Sequence, residues 1–153
     1  MAVNKFWKSL MATIIQKSET EIIVQVVIKL TGSMLDMEEN IQAGVNEVGA
    51  IATGEALSKF DATGDQINIA SIKLTSKGKV VKEYQTPYGA VPVDRHVYQT
   101  SKGGKTFCPL DDRARIITSS TPKFAQMISY KYASLSAPEV ADDLYKNHGR
   151  KTI

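Results

Sequence analysis

An α+β protein is what this sequence predicts, and three observations predict it. Apolar residues recur at steps of three and four from Ser33 to Phe60, the repeat of one helix face. Alternating β-branched residues separated by glycine-bearing turns fill the middle of the chain. Two short helical patterns with N-terminal prolines close it. The expected architecture is long amphipathic N-terminal helices over 1–64, a small antiparallel β-meander over 65–116, and over 117–153 a C-terminal helical pair resembling a truncated helix-turn-helix.

In the first zone, Met34, Met37, Ile41, Val45, Val48, Ile51 and Phe60 form the helical stripe. Ser33 suits the N-cap, and Asp36, Glu38 and Glu39 suit the positive end of the helix dipole. Gly44, Gly49 and Gly54 lower helix propensity, so a bend or the close approach of another helix is expected there. Ile22 to Leu30 carries a β-branched run and also a helical stripe through Ile22, Ile23, Val26, Val27 and Leu30. It is assigned to a helix that breaks at Gly32.

In the second zone, Gln66 to Thr75 alternates around Ile67, Ile69 and Ile72. A turn is placed at Ser76-Lys77-Gly78, with a strand resuming from Val80 to Tyr84. Ala90 to Tyr98 then pairs across a Ser101-Lys102-Gly103-Gly104 loop with Thr106 to Cys108, the two glycines permitting positive φ. Such a sheet must bury one face, against the long helix. In the third zone, Thr121-Pro122 opens a helix with a stripe of Phe124, Ile128 and Tyr132 (or Met127). Ser136 opens another, with Pro138 in its first turn, and Asn147-His148-Gly149 ends it. A third, base-reading helix would begin near Thr152, so the motif reads as incomplete.

Composition narrows the function classes. The 153 residues are 42% hydrophobic and 23% charged, the balance of a globular protein. No window nears the roughly 18 apolar residues of a membrane span, and the first 30 residues do not pattern as a signal peptide. Cys108 is the single cysteine, which excludes an internal disulfide and a thiolate zinc cluster. A cytoplasmic location is expected. Net charge is +3 but unevenly spread. Residues 1–65 hold five Lys against nine acids, 66–115 nine basic residues against four acids, and 116–153 five against three. A polyanion would therefore meet the second half.

Asp111, Asp112 and Glu139 have the side chains of a two-metal phosphoryl-transfer site. Adjacent aspartates diverge, however, and no spacing ties them to Glu139, so Asp111 reads as a turn or cap residue. Strand alternation puts Val93, Arg95 and Val97 on one face and Asp94, His96 and Tyr98 on the other, which makes His96 part of a polar cluster rather than a general base. Cys108, with Lys105 nearby but without a histidine partner, reads as a buried inert thiol. His148 lies at a helix end, where the dipole favours a cation. Gly104-Lys105-Thr106 matches the tail of a phosphate loop, but Gln99 stands where its first glycine belongs and a strand follows. A basic hairpin tip that touches a nucleic-acid backbone is the better reading. No cofactor or metal is expected.

The run GAVPVDRHVYQTSKGGKTFCPLDDRARIITSSTPKFA, followed by KYASLSAPEVADDLYKNHGRK, resembles the amino-terminal region of ISKra family insertion-sequence transposases. The likeness covers roughly residues 34 to 151. It is strongest at Arg95-His96-Val97-Tyr98, Gly103-Gly104-Lys105, Cys108-Pro109-Leu110 and Asn147-His148-Gly149-Arg150. The resemblance implies a DNA-binding and assembly region that precedes an RNase H-like domain with an Asp, Asp, Glu metal triad. No residue here matches that triad, so no enzymatic activity is expected of the chain itself. Lys102, Lys105, Lys146, Arg150 and Lys151 are the expected DNA-backbone contacts, and transposon-end duplex DNA is the expected partner. The alternative expectation is a non-enzymatic dimerisation or regulatory module, a homodimer or a complex with the catalytic part of a transposase.

Overall fold

The computed structural model describes residues 11–150. Helix and antiparallel sheet are mixed, with strands β1 (Ala12–Lys17), β2 (Ile22–Val26), β3 (Ile67–Ile69), β4 (Ile72–Thr86), β5 (Gly89–Thr100) and β6 (Gly103–Phe107). The helices are α1 (Met34–Ser58), α2 (Pro109–Arg113), α3 (Pro122–Tyr132) and α4 (Ala137–His148). β1 and β2 form a two-stranded hairpin, and β3-β4-β5-β6 form a four-stranded antiparallel sheet in sequence order.

The first zone departs from the sequence expectation. Ile22–Val26 is a strand, not a helix, and it pairs antiparallel with β1 from Ala12↔Val26 to Lys17↔Ile22. The β-branched run wins because Ala12–Lys17 offers a pairing partner, and Ser18 closes the turn between them. Its backbone N–H donates to the Glu21 carbonyl at 2.8 Å, and its hydroxyl accepts from the Glu21 N–H at 3.2 Å. One long helix, rather than several, therefore follows.

That helix starts as expected. The Ser33 hydroxyl accepts from the Asp36 N–H at 3.1 Å, and the Asp36 carboxylate accepts from the Ser33 N–H at 3.0 Å, a reciprocal capping box. These bonds hold the Asp36 carboxyl below the usual range. The hairpin lies along α1: the Ala12 N–H donates to Glu47 at 3.1 Å, Lys17 pairs with Glu55 at 3.5 Å, and Asn40 Nδ2 donates to the Lys29 carbonyl at 3.0 Å.

Gly44 and Gly49 are explained by what approaches them, which is not another helix. A Cβ at Gly49 would stand 2.4 Å from the Tyr88 ring, and one at Gly44 would stand 2.9 Å from Ile28. A Cβ at Gly54 would meet only Val91, at an ordinary 3.5 Å. The two substitutions Gly54→Ala and Gly49→Ala should therefore move stability in opposite directions. Gly54→Ala is expected to add about 0.5–1 kcal/mol through helix propensity. Gly49→Ala is expected to lose about 1–2 kcal/mol, because the clash with the ring outweighs that gain. Urea unfolding of the two variants checks the signs.

The meander also differs in its turns. The chain reverses at Ala70-Ser71, both at positive φ (50° and 68°), so that Ile69 faces Ile72 and Ile67 faces Leu74. Ser76-Lys77-Gly78 is not a turn but an irregularity inside β4, where the pairing shifts between Ser76 and Lys79. Gly78 takes φ 96° within it. The Val80–Tyr84 segment thereby pairs with Val91–Arg95 of β5, which places Tyr84 beside Val91 and Val93 in the core. At the opposite reversal, the Thr86 hydroxyl donates to the Gly89 carbonyl at 2.8 Å and accepts from the Tyr88 N–H at 3.1 Å.

Leu57 of α1, Tyr84, Val91 and Val93 of the sheet, and Leu110 of α2 form the main core. Phe124, Val140 and Leu144 form a second, between α3 and α4, with Met127, Ile128 and Leu135 against it. Tyr132, expected in that stripe, is half exposed at 50%. Ser136 caps α4 through the Glu139 N–H, and Gly149 ends it at φ 64°. Thr121 occupies the N-cap position of α3 with Pro122 behind it, but its hydroxyl makes no capping bond.

Candidate nucleic-acid interface

Antiparallel register brings the basic part of the sequence to one end of the sheet. β4 begins, and β5 ends, at the end where the β3–β4 and β5–β6 reversals lie. Lys73, Lys77 and Lys79 on β4, Lys102 in the β5–β6 turn and Lys105 on β6 all fall there, and all are exposed. None of the five makes an ion pair among the described residues. No Asp or Glu occurs between Gln66 and Lys82 or between Arg95 and Pro109, so no nearby acid in these segments offsets them. Gly103 and Gly104, at φ 80° and 94°, let the β5–β6 reversal close tightly, with the Thr100 hydroxyl bonded across it to the Gly103 carbonyl.

Lys102 and Lys105 therefore stand where the sequence put them, and Lys73, Lys77 and Lys79 join them. The signal in the sequence is the lysine spacing along Ile72–Lys79, which lies on one strand because β4 runs through Ser76-Lys77-Gly78 instead of turning there. The other expected contacts do not belong to this surface. Arg150 is 2% exposed. Its guanidinium stacks over the Phe124 ring at 4.2 Å, and Nη2 donates to Gln85 Oε1 at 2.7 Å. A phosphate cannot reach it, and the residue instead fastens the end of α4 to α3 and β4. Its Nε and Nη1 and the Thr121 hydroxyl are buried without partners among the described residues. Gln85 lies about 30 Å along β4 from Ser76, at ~3.3 Å per residue. Lys146 is exposed but pairs with Asp142 at 3.1 Å, one turn away on α4. Lys151 lies outside the described residues.

The acidic candidates have other partners. Asp111 accepts from the hydroxyl of the fully buried Tyr84, pairs with Lys82 at 3.4 Å and lies 4.0 Å from Arg95 Nε. Arg95 Nε in turn donates to the Tyr84 hydroxyl at 2.7 Å, and Nη1 donates to the Val80 carbonyl at 3.3 Å. Burial, then the Asp111 carboxylate, pushes the Tyr84 phenol well above its usual range. This is a polar network on the sheet's inner face. Its signal in the sequence was a charged Arg95 on the Val93 face. Asp112 is exposed, and Glu139 is held by Ser136 on α4, its Oε1 accepting from the hydroxyl at 2.8 Å. Among the described residues no three His, Cys, Asp or Glu side chains are grouped to hold a metal.

His96 is part of a polar cluster, and its partner is Asp61, which sequence reasoning did not single out. The Asp61 carboxylate accepts from the His96 N–H at 3.0 Å and contacts Nδ1 at 2.9 Å. This clasps the loop after α1 onto β5, where the Tyr98 hydroxyl also donates to the Asp65 carbonyl at 2.8 Å. Cys108 is half-buried against the main core at the start of α2.

His148 is the last residue of α4. Burial, then the nearby Lys131, lowers its pKa from the usual 6.5, against the opposing pull of Asp143. The unfolded chain therefore takes up the proton more readily, and stability should fall as pH drops below 6.5. His148→Gln should flatten that part of the stability profile, measured by thermal unfolding between pH 8 and pH 5. Asp143, held low by Lys131 and Asn147, adds acid sensitivity only below its usual 3.8.

No family model, curated protein or solved structure matches the chain.

Proposed function

We propose that this chain is the DNA-binding and assembly region of an insertion-sequence transposase, with no strand-transfer chemistry of its own. The observation that carries the reading is the sheet end bearing Lys73, Lys77, Lys79, Lys102 and Lys105, exposed and without acidic partners among the described residues. Ammonium groups set along a strand track a phosphate backbone by charge alone and position a duplex without reading bases. The resemblance of residues 34 to 151 to ISKra family transposases supplies the biological context, and transposon ends are the proposed DNA. No described helix is long and apolar enough to cross a membrane.

The reading is tested by comparing Lys102→Gln/Lys105→Gln with Lys146→Gln in duplex binding followed by fluorescence anisotropy. The first variant should weaken binding by roughly tenfold at low salt and the second by little, since only the first removes free charge from the surface. Equal losses would remove the sheet end from the interface.

A specific observation favours the second reading, a dimerisation or regulatory module. Met34, Leu35, Ile41 and Val45 are exposed on α1, with Val27 and Leu30 exposed in the segment leading to it. Light scattering separates the two: a stable dimer without duplex affinity supports the module.

A further inference from the structure

We infer that the tip of the β3–β4 hairpin is an apolar wedge that unstacks a base step in the duplex gripped by the lysines. The inference rests on the DNA-binding reading and adds to it a deformation of the bound DNA.

The apolar stripe of this hairpin runs off the end of the core. Leu74 is buried, its partner Ile67 is half-buried, and the next pair, Ile69 and Ile72, is 44% and 53% exposed. A single exposed isoleucine needs no explanation. Two that face each other at a hairpin tip, each about half exposed, form one continuous apolar edge. The reversal beneath them is made by Ala70 and Ser71, both at left-handed φ without being glycine. That backbone is costly for residues with a Cβ. Its small side chains keep the tip narrow.

The charge around the tip identifies the partner. Lys73 follows Ile72 directly, Lys102 and Lys105 belong to the neighbouring reversal, and Lys77 and Lys79 continue up β4. From Lys73 to Lys79 the lysines extend over about 20 Å, at ~3.3 Å per residue. A line of charge behind an apolar point suits a phosphate backbone, which continues alongside the groove. A bilayer surface would meet only the tip, and aromatic residues, the usual interfacial anchors, are absent from Gln66–Gly78. Apolar side chains between base steps, with lysines on the flanking phosphates, are how groove-binding proteins kink a duplex.

The test uses the full chain and a 2-aminopurine-labelled duplex of about 30 base pairs, long enough to cover several helical turns of phosphate contacts. Binding is read by anisotropy and unstacking by 2-aminopurine emission. Wild-type protein should raise the emission at saturation. Ile69→Thr/Ile72→Thr keeps β-branched side chains at exposed sites, so it should fold. It should bind with an unchanged salt slope and about tenfold weaker affinity, and without the emission rise. Lys73→Gln/Lys105→Gln should lower the salt slope yet still unstack at saturation. Wild-type binding without unstacking, or the same unstacking by the threonine variant, would overturn the wedge while leaving the DNA-binding reading intact. No salt-dependent duplex binding at all would overturn both. Isoleucine-dependent binding to phosphatidylserine vesicles, without duplex unstacking, would assign the tip to a membrane and overturn the wedge.

Discussion

Asp111→Ala should cost about 2–4 kcal/mol of folding stability, whereas the neighbouring Asp112→Ala should change it by less than about 0.5 kcal/mol. Removing Asp111 leaves the buried Tyr84 hydroxyl without its acceptor. It also leaves the cations of Lys82 and Arg95 without their counter-ion. Loss of one member of a well-buried ion pair costs at the upper end of that range. Side-chain exposures of 28% for Asp111 and 26% for Lys82 argue for the discount at the lower end. Asp112 is exposed and makes no side-chain hydrogen bond among the described residues. Urea unfolding of both variants gives the answer. Equal, small losses would mean that the network does not hold α2 to the sheet.

Replacing Lys73, Lys77, Lys79, Lys102 and Lys105 together by glutamine should weaken duplex binding by a hundredfold or more at about 50 mM salt. All five are exposed and make no ion pair among the described residues, so folding stability should move little, and circular dichroism with a melting curve checks that. Arg150 is the instructive contrast. Its loss should damage folding, because it stacks on Phe124 and ties α4 to Gln85, and any effect on DNA would follow from that.

The α1 helix was legible because its signals are local. Ser33 and Asp36 cap each other three residues apart. The stripe from Met34 is not the buried face, since Met34, Ile41, Val45 and Phe60 are exposed while Gly44 and Leu57 are buried. Ser136, Pro138 and Gly149 marked α4 in the same way. Ile22–Val26 was misread because a β-branched run also drew a helical stripe, and the deciding fact, pairing with Ala12–Lys17, lies outside that segment. The β3–β4 reversal was misplaced because Ser76-Lys77-Gly78 carries a glycine while Ala70-Ser71 takes left-handed φ without one. Tertiary pairing of Tyr84 with Val91 settled the register. At the candidate surface, Lys102 and Lys105 could be read from their turn. Their convergence with Lys73, Lys77 and Lys79 depends on antiparallel register, and the removal of Arg150 depends on a long-range contact with Gln85. Asp61 escaped notice because its partner His96 is 35 residues away.

The most direct measurement of the central claim is wild-type affinity for duplex DNA between 50 and 200 mM salt. With four to five lysines each displacing a condensed counter-ion, log K against log salt should fall with a slope of about −4, and the fourfold rise in salt should weaken binding by a few hundredfold. A slope near zero, or no binding at the low-salt end, would contradict the assignment of this surface to DNA.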